Sequence, residues 1–382
     1  MCGIFGCTSF DKSNIEKARI SLHSLEHRGP DQWHEFHDDS VYMGHHRLSI
    51  LDLSDHGKQP MVSPDKDVII TVNGEIYNFL KIRKELESKH QFKCDSDSEV
   101  ILFGYIEWGI DKLLEKIDGM YAISIYDISK NRTYLAKDRV GIKPLYYSNI
   151  DGQICWSSEL KAIEKYYDNL KIDNTSVYDF LTYRYIPTPK TMYENVFKLE
   201  PAHYLEIDPT SNAIKKECYW SLKTTEQEIT IDRAETELYQ LLNKSIQEQM
   251  ISDVPVGFFL SGGLDSSTIV SLAAKCHSDI NTFSIGFSDK NHDETYFAKL
   301  VAEKYTTNHH VKTLNEPEVI QLFPNIKKWY DEPFADSSCF PTYVVSAYAK
   351  ENVTVVLTGD GGDELFGGYN WYRALYSIKN FS

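Results

Sequence analysis

A cysteine stands directly after the initiator methionine, in the segment MCGIFG at residues 1–6. Cys2 could be half of a disulfide, a small core residue, or a nucleophile assisted by the α-amine of the chain. The seven cysteines are scattered, without paired spacing and without a C-x-x-C motif. That pattern differs from a disulfide framework or a zinc site. A core residue and a nucleophile therefore remain as the readings of Cys2.

A second segment whose residues could bind a ligand or take part in chemistry is FFLSGGLDSST at residues 258–268. Gly262 and Gly263 would let the backbone approach a phosphate closely, and Ser266 and Ser267 begin a helix whose free N–H groups favour an anion. Asp265 fits beside a phosphate only with a bridging cation, so the segment predicts Mg²⁺. The lysine-containing G-x-x-x-x-G-K-[ST] phosphate loop is absent from the sequence. A simple glycine turn is the alternative.

A third segment is VVLTGDGGDELFGGY at residues 355–369, where glycines surround Asp360, Asp363 and Glu364. In open parallel sheets, ligands bind beyond the carboxyl ends of the strands. Two acidic loops at strand ends predict a shared site for Mg²⁺ and a polyphosphate. The alternative is a solvated turn of aspartates and glycines.

Two different patterns of elements would position these groups. Up to about residue 210, short β-rich runs and two helical patterns predict layered sheets with helices outside. The strands are expected at 67–72, 120–128, 132–138 and 144–148, with NGEIYN at 73–78 closing the first, and the helices at 15–29 and 98–109.

From about residue 233, strands alternate with helices, which predicts parallel βαβ units and a doubly wound sheet. Strands are expected at 254–260, 280–287, 309–314 and 353–359, and helices at 234–250, 264–276, 294–305, 318–330 and 340–352. The stretch 205–232 is the expected boundary region between the two patterns.

Composition narrows the classes of function. The chain has 382 residues, enough for two or three domains, and 42% of them are hydrophobic. The formal net charge of −16 argues against nucleic-acid binding, which needs clustered Lys and Arg. The sequence contains no apolar run of about 18 residues and no secretory signal pattern, so we expect a cytoplasmic protein without a membrane partner.

Several motifs resemble the glutamine-dependent asparagine synthetases. The glutaminase domain of that family is matched by MCGIFG, HRGPD (27–31), HHRLSILDLS (45–54), NGEIYN (73–78), SDSE (96–99) and KDRVGIKPLYY (137–147). The remainder is matched by SSELKAI (157–163), FLSGGLDSS (259–267) and LTGDGGDELFGGY (357–369). The resemblance implies an N-terminal-nucleophile hydrolase αββα sandwich at 2–210. It also implies a doubly wound parallel α/β ATP-pyrophosphatase domain at 233–382, truncated at its C-terminus.

The resemblance also implies roles in the first domain. Met1 would be removed, leaving Cys2 as the nucleophile with its own α-amine as general base. An α-amine with a pKa of roughly 7.7–8 suits that task near neutral pH. The side-chain amide of Asn73 and the N–H of Gly74 would form the oxyanion hole. The substrate glutamine would be held at its α-carboxylate by Arg47 and at its α-ammonium by Glu75 and Asp97.

In the second domain, the resemblance implies an ATP site with Mg²⁺. ATP would be bound by Ser261, Gly262, Gly263, Leu264, Asp265, Ser266, Ser267, Ile285, Thr358 and Gly359. Asp265 and Asp363 would bind the metal, and Asp360 would support adenylation. The family usually carries GEGSDE where this chain has GDGGDE, and DEPFADSS (331–338) is more typical of related amidotransferases of surface-polysaccharide clusters. The acceptor is therefore left open.

The function implied is glutamine-dependent asparagine synthesis. Glutamine would be hydrolysed to ammonia, and ATP–Mg²⁺ would adenylate aspartate for amidation to asparagine, with release of AMP and pyrophosphate. One alternative is amidation of another carboxylate, such as a sugar uronate. Another is a glutaminase alone or an ATP-binding remnant, because relatives usually continue beyond the position of Ser382. A homodimer is left open.

Overall fold

The computed structural model describes residues 1–9, 11–225, 228–289 and 293–379. Parts of the expected domains, at residues 10, 290–292 and 380–382, lie outside the described residues, as do 226–227 in the expected boundary stretch. The chain forms two compact units. The first contains Met1–Thr225 and Asn325–Asp336, and the second contains the described residues of Glu226–Pro324 and Ser337–Ser382.

The strands in chain order are β1 Gly3–Thr8, β2 Gln32–His37, β3 Val41–Arg47, β4 Met61–Val62, β5 Val68–Ile76, β6 Gly119–Asp127, β7 Arg132–Lys137, β8 Tyr146–Ile150, β9 Gln153–Ser157, β10 Val196–Lys198, β11 His203–Ile207, β12 Ile214–Cys218, β13 Val256–Phe259, β14 Asn281–Phe287, β15 Asn308–Leu314 and β16 Val355–Leu357. The helices are α1 Ile15–His23, α2 Phe79–Leu86, α3 Glu99–Lys116, α4 Leu160–Tyr166, α5 Asn174–Tyr183, α6 Ile231–Gln249, α7 Leu264–Cys276, α8 Thr295–Tyr305, α9 Glu316–Leu322, α10 Ile326–Trp329, α11 Cys339–Ala349, α12 Gly362–Phe366 and α13 Asn370–Lys379.

The first unit is built on two six-stranded antiparallel sheets. The first sheet has the order β10, β8, β9, β1, β3, β2, and the second has the order β12, β11, β7, β6, β5, β4. Side chains alternate across the faces of each strand. Along β1, Ile4 therefore packs between the sheets, while Phe5 packs on the opposite face with α1. Along β5, Ile69 points between the sheets and Ile70 points toward α2 and α3.

Three apolar layers follow from this alternation. The layer between the sheets contains Met43 and Trp156 from one sheet and Leu135 from the other. Outside it, α1 and α4 cover the first sheet, and α2 and α3 cover the second. The unit is therefore an αββα sandwich, as expected.

The second unit contains a four-stranded parallel sheet in the order β15, β14, β13, β16. Ile246 of α6, Val270 of α7 and Ala298 of α8 belong to one core, while Val345 of α11 packs with Phe283 in another. The chain moves outward from β13 to β15 and then returns to the other side of β13 with β16. The strand order reverses at β13, which is where doubly wound sheets bind ligands. The doubly wound prediction is confirmed.

Two predicted element boundaries were wrong, one because of strand pairing and the other because of a proline. NGEIYN does not close its strand, because β6 supplies ladder partners as far as Ile76, including Ala122 for Asn73. The pattern at 318–330 is not one helix. Pro324 cannot continue a regular helix and lies in a short 3₁₀ turn between α9 and α10.

Two helices of the first half also differ from expectation in length. The first helix ends at His23, and a 3₁₀ turn over Glu26–Arg28 carries the chain toward Gly29. The pattern predicted for 98–109 continues to Lys116, because Gly109 adopts a φ of +74° and the chain resumes a helical path beyond it. Within the described residues, no helix has both the length and the apolar character needed to cross a bilayer.

A close approach in the first sheet makes the fold testable. A Cβ at Gly6 would lie 2.3 Å from Cζ2 of the buried Trp156. We expect Gly6→Ala to lower the free energy of unfolding by about 1–3 kcal/mol through overpacking, measured by urea denaturation with circular dichroism. Trp156→Phe removes the crowded ring atoms, so the double variant should lose less than the sum of the single losses. Strict additivity would show that this contact does not set the spacing.

Candidate active sites

The inner faces of the two sheets bring four of the expected glutaminase residues together. Ile4 lies between the sheets, so Cys2 is on the inner side by alternation. Val41 and Met43 of β3 also face inward, which places Arg47 on the same side. Ile69 of β5 also faces inward, and Asn73 and Glu75 lie an even number of residues after it, so they are on the inner side as well. The imidazole Nε2 of His45 lies 3.0 Å from the Val72 carbonyl oxygen, which ties β3 to β5 beside these residues.

Pairing of β1 with β3 sets the place of Cys2. Gly3 is opposite His46, so Cys2 lies beside the end of β3. The Cys2 Sγ accepts from the Leu48 N–H at 3.5 Å and lies 3.7 Å from the Leu48 carbonyl oxygen. A Cβ at Gly3 would lie 2.8 Å from the Leu25 Cβ, so this approach favours glycine after the cysteine.

The α-amine of Met1 is desolvated, although Met1 as a whole is 54% exposed, and this desolvation changes the titration of the amine. Burial lowers the pKa of the N-terminal amine to about 6, so the amine is largely unprotonated at neutral pH. In this structure the amine belongs to Met1. Burial also raises the pKa of the Cys2 thiol, so the thiol needs a base to become a nucleophile.

Arg47 is held by neutral acceptors. Its guanidinium donates to the main-chain oxygens of Ser54 at 2.9 Å and Leu51 at 3.2 Å, and also to that of Asp52. The residue is only 4% exposed. Because carbonyl oxygens carry no formal charge, they hold the buried guanidinium in place without neutralising it, and its positive charge can still attract an anion.

Asn73 is the most conspicuous polar group of this region. It is fully buried, and within the described part of the chain neither its Oδ1 nor its Nδ2 has a hydrogen-bond partner. Buried amides without partners destabilise the folded state by about 1–3 kcal/mol. Such a group points to a ligand that would satisfy it.

The backbone of β5 presents the N–H of Gly74 on the side opposite to β6. The N–H groups of Val72 and Ile76, which share its parity, donate to Gln59 Oε1 at 2.6 Å and Asp97 Oδ2 at 2.7 Å. Strand N–H groups of one parity point to one side. The N–H of Gly74 therefore lies on the edge of β5 that also holds Asp97.

Glu75 and Asp97 form an acidic pair. Burial, and then the charge of Asp97, raises the pKa of Glu75. Burial also raises the pKa of Asp97, against hydrogen bonds from the Ile76 N–H and neighbouring serines. Two acids in a low-dielectric setting are stabilised by a cation. An α-ammonium group would provide one.

Sequence reasoning assigned no role to Arg28 or Lys143. Arg28 Nε donates to the Cys2 carbonyl oxygen at 2.9 Å, and its Nη1 donates to Glu159 Oε1 at 2.7 Å. Lys143 is 5% exposed, and its charge acts on both Glu75 and Cys2. Arg28 lies in the motif HRGPD and Lys143 in the motif KDRVGIKPLYY, and membership of these motifs was the sequence signal that could have identified them.

The two glycine-rich loops of the second unit also meet. A Cβ at Gly359 would lie 3.0 Å from the Ser266 N, and one at Gly362 would lie 2.5 Å from the Asp265 Cγ. The cause is the parallel pairing of β13 with β16, which brings the strand ends together. The two acidic loops therefore lie side by side at the carboxyl ends of β13 and β16.

The first of these loops has the features of an anion cradle. Gly262 has a φ of +84°, and its Cβ would lie 2.7 Å from the Ala298 N, so glycine is required. The N-cap of α7 is Gly263, without a side-chain cap, which leaves its first N–H groups open to an anion. Ser261 Oγ lies 3.0 Å from Ser266 Oγ and accepts from the Gly263 N–H.

The other residues expected at the nucleotide site are spread around these loops. Leu264 and Ser267 lie in the first turn of α7, Ile285 lies on the neighbouring β14, and Thr358 and Asp360 follow β16. Asp363 lies in the first turn of α12. Among the residues that the structure describes, no cluster of three or more His, Cys, Asp or Glu side chains forms a metal site.

The acidic pair predicts an unusual pH dependence. The pKa of Asp97 rises from 3.8 to about 6, so the folded state holds a proton that the unfolded state releases. Its contribution to stability therefore falls as the pH rises between these values. We expect Asp97→Asn to gain stability over the wild type between about pH 4 and about pH 7, measured by urea denaturation.

Asp127 provides a control of opposite sign. Although burial raises the pKa of Asp127, hydrogen bonds from Lys130, Ser129 and Tyr105 lower it overall. Asp127→Asn should therefore lose stability relative to the wild type as the pH rises toward the ordinary pKa of 3.8, and the difference should be nearly constant at higher pH. If both variants followed the same trend, the account of the Asp97 environment would be wrong.

Comparison with known proteins agrees with this architecture. Residues 1–220 match the family model for a glutamine amidotransferase domain, and residues 237–382 match that for asparagine synthase. "Asparagine synthetase [glutamine-hydrolyzing] 1" of Bacillus subtilis is 38% identical over 389 residues, covering 100% of this chain and 61% of the relative.

Two further relatives show the same relation. "Putative asparagine synthetase [glutamine-hydrolyzing] 2" of Methanocaldococcus jannaschii is 39% identical over 407 residues, covering 99% of this chain and 78% of the relative. A putative synthetase of the same description from Mycobacterium tuberculosis is 35% identical over 383 residues, covering 95% and 58%. The chain thus spans 58–78% of the length of these relatives. It belongs to the family of glutamine-hydrolysing asparagine synthetases.

Proposed function

We propose that this chain carries out glutamine-dependent synthesis of asparagine, with residues 2–210 as the glutaminase domain and 233–382 as the ATP-pyrophosphatase domain. The observation that carries the proposal is the environment of Cys2. Its Sγ accepts from the Leu48 N–H at 3.5 Å, directly after the buried Arg47, and Asn73 and Glu75 occupy inward positions of β5. After loss of Met1, the base for the thiol proton would be the α-amine of Cys2, and Arg47 and Glu75 would be partners for the two charged ends of glutamine.

The glutaminase step uses the chain's own groups. After removal of Met1, the α-amine of Cys2 would become the amino terminus and take the thiol proton. The sulfur attacks the side-chain amide carbon of glutamine, and Asn73 Nδ2 and the Gly74 N–H donate to the oxyanion. The amine returns its proton to the departing ammonia. Water then cleaves the γ-glutamyl thioester and releases glutamate.

Binding of glutamine would compensate the buried charges. Arg47 holds the α-carboxylate, while Glu75 and Asp97 hold the α-ammonium. The orphaned amide of Asn73 would gain its partner in the tetrahedral intermediate, where stabilisation accelerates the reaction.

The second unit is proposed to bind ATP and to adenylate the acceptor. The cradle formed by Gly262, Gly263 and the start of α7 suits a pyrophosphate. Mg²⁺ commonly binds through one or two carboxylates and the phosphates of the substrate, so Asp265 and Asp363 fit it without a larger acidic cluster. When bound, Mg²⁺ would neutralise charge on the leaving pyrophosphate.

Aspartate is the acceptor favoured by the names of the relatives, and amidation of another carboxylate is not favoured. Asp360 is exposed in the loop after β16, where it would support adenylation. The partners proposed are small molecules, without nucleic acid or membrane, and a homodimer is left open. Because glutamine and ATP are cytoplasmic metabolites, the proposal includes a cytoplasmic location.

Replacement of the nucleophile tests the glutaminase directly. We expect Cys2→Ala to reduce release of ammonia from glutamine by at least about 1,000-fold, measured by coupled detection of ammonia and glutamate. Cys7→Ala is the matched control, because Cys7 is a buried cysteine of β1, the strand that directly follows Cys2, and it faces the helix layer. Persistent turnover in Cys2→Ala, or equal loss in Cys7→Ala, would refute the assignment.

Replacement of Asp265 tests the nucleotide site. We expect Asp265→Asn to weaken binding of ATP in the presence of Mg²⁺ by at least about tenfold, measured by calorimetry, since a metal carboxylate is lost. Asp279→Asn removes an exposed carboxylate of the same unit that pairs with Asn308, and should leave the affinity unchanged. Equal affinity in wild type and Asp265→Asn would contradict the proposed metal ligand.

A further inference from the structure

Residues 325–336, termed the strap, lie in the first unit, although the chain before and after them belongs to the second. Glu332 fixes the strap there. Its Oε2 lies 2.6 Å from Lys198 Nζ, and its Oε1 accepts from the Met192 N–H at 2.8 Å. The Ala335 N–H also donates to the Arg184 carbonyl oxygen at 3.0 Å. A stretch encoded within the second half of the sequence thus completes the first unit.

Asp331 joins the strap to the start of α4. Its Oδ2 accepts from the Lys161 N–H at 3.0 Å, and its Oδ1 lies 3.2 Å from Lys161 Nζ. The side chain of Asp331 is only 10% exposed. The same Nζ lies 2.9 Å from Glu159 Oε2, so one ammonium group bridges two carboxylates.

Glu159 continues the chain of charges to the nucleophile. Its Oε1 accepts from Arg28 Nη1 at 2.7 Å, and Arg28 Nε donates to the Cys2 carbonyl oxygen at 2.9 Å. Burial raises the pKa of Glu159, but hydrogen bonds from His27 and Arg28 outweigh this and hold it well below its usual range. Glu159 therefore stays ionised between Arg28 and Lys161.

The four side chains alternate in sign from Asp331 through Lys161 and Glu159 to Arg28. Lys161 is shared by two carboxylates, and Glu159 is shared by Lys161, Arg28 and His27, so loss of one charge leaves another without its full complement. In a partly buried setting this strongly disfavours the original geometry. At its last member, Arg28, this series of charged side chains contacts the main-chain carbonyl of Cys2. That carbonyl belongs to the peptide group that joins Cys2 to Gly3 at the start of β1.

We propose that Asp331 is a positioning residue for the glutaminase reaction, acting through Lys161, Glu159 and Arg28 on the main chain of Cys2. The inference rests on the proposed function, in which Cys2 is the nucleophile. Asp331 touches neither substrate nor reacting atoms. Its effect is to keep the sulfur and the amine of Cys2 correctly placed relative to Asn73, Gly74 and Glu75 of β5. The glutaminase reaction therefore depends on a segment from the second half of the chain.

The test compares Asp331→Asn with the wild type in the full chain. Asparagine keeps an acceptor for the Lys161 N–H but removes the charge opposite its ammonium. We expect kcat for glutamine hydrolysis to fall by about tenfold or more with KM unchanged, because misplacement of a reacting group lowers turnover while Arg47, Glu75 and Asp97 still bind glutamine. Lys161→Arg, which preserves the charge, should retain most of kcat.

Two controls separate positioning from general destabilisation. Glu35→Gln disrupts another partly buried ion pair of the same unit, with Arg19 at 2.6 Å, and should leave kcat unchanged. In a Glu159→Gln background, Asp331→Asn should cause little further loss, because both changes interrupt one path. Additive losses, or an equal fall in Glu35→Gln, would overturn the proposal.

Amide hydrogen exchange supplies a readout that does not require activity. In Asp331→Asn, peptides covering residues 2–8 and 157–163 should exchange faster than in the wild type, while Glu35→Gln leaves them unchanged. Unchanged exchange in Asp331→Asn would overturn the inference. A wild type that hydrolyses no glutamine, with faster exchange in Asp331→Asn, would refute the proposed function and support the link from Asp331 to Cys2.

Discussion

Alternation of side chains across two facing sheets is the constraint on which the proposed glutaminase site depends. The inward positions of β1, β3 and β5 carry apolar residues along most of their length, and those residues hold the sheets together. At one end of the strands the same positions become Cys2, Arg47, Asn73 and Glu75. A shift of one residue in the register of any of these strands would turn its polar group away from the others. The packing of the sandwich and the geometry of the site are therefore set by one pattern.

The site between the two sheets contains polar and charged groups, whose burial without partners is unfavourable. Among the described residues the side chain of Asn73 has no hydrogen-bond partner, Glu75 and Asp97 share one region, and Arg47 is held by neutral oxygens. A ligand with a carboxylate, an ammonium group and an amide would satisfy all of these groups at once. In the second unit the arrangement differs, because the proposed nucleotide site is formed by open helix N–H groups and glycine backbones rather than by buried charges.

The sequence predicted those features that depend on local pattern. The helix at 264–276 and the four parallel strands followed from periodicity, and the αββα sandwich followed from resemblance. The turn predicted at Asn73 and Gly74 was wrong, because pairing with β6 outweighed the local preference of an Asn-Gly pair. The contacts of Arg28, Lys143 and Asp331 could not be predicted from the residues alone. Arg28 contacts Cys2 directly, whereas Asp331 is linked to Cys2 only through Lys161, Glu159 and Arg28. The contacts of Arg28 with Glu159 and of Lys161 with Asp331 each join residues more than a hundred positions apart in the sequence.

The central claim is that the sulfur of Cys2 forms a covalent intermediate with glutamine, assisted by its own amine. Mass spectrometry of the amino-terminal peptide, after acid quenching of the protein during turnover of glutamine, tests this most directly. The account predicts a peptide that begins at Cys2, lacks Met1 and carries a γ-glutamyl group on the sulfur. Turnover with an unmodified peptide that retains Met1, or with the γ-glutamyl group on another residue such as Cys7, would contradict it.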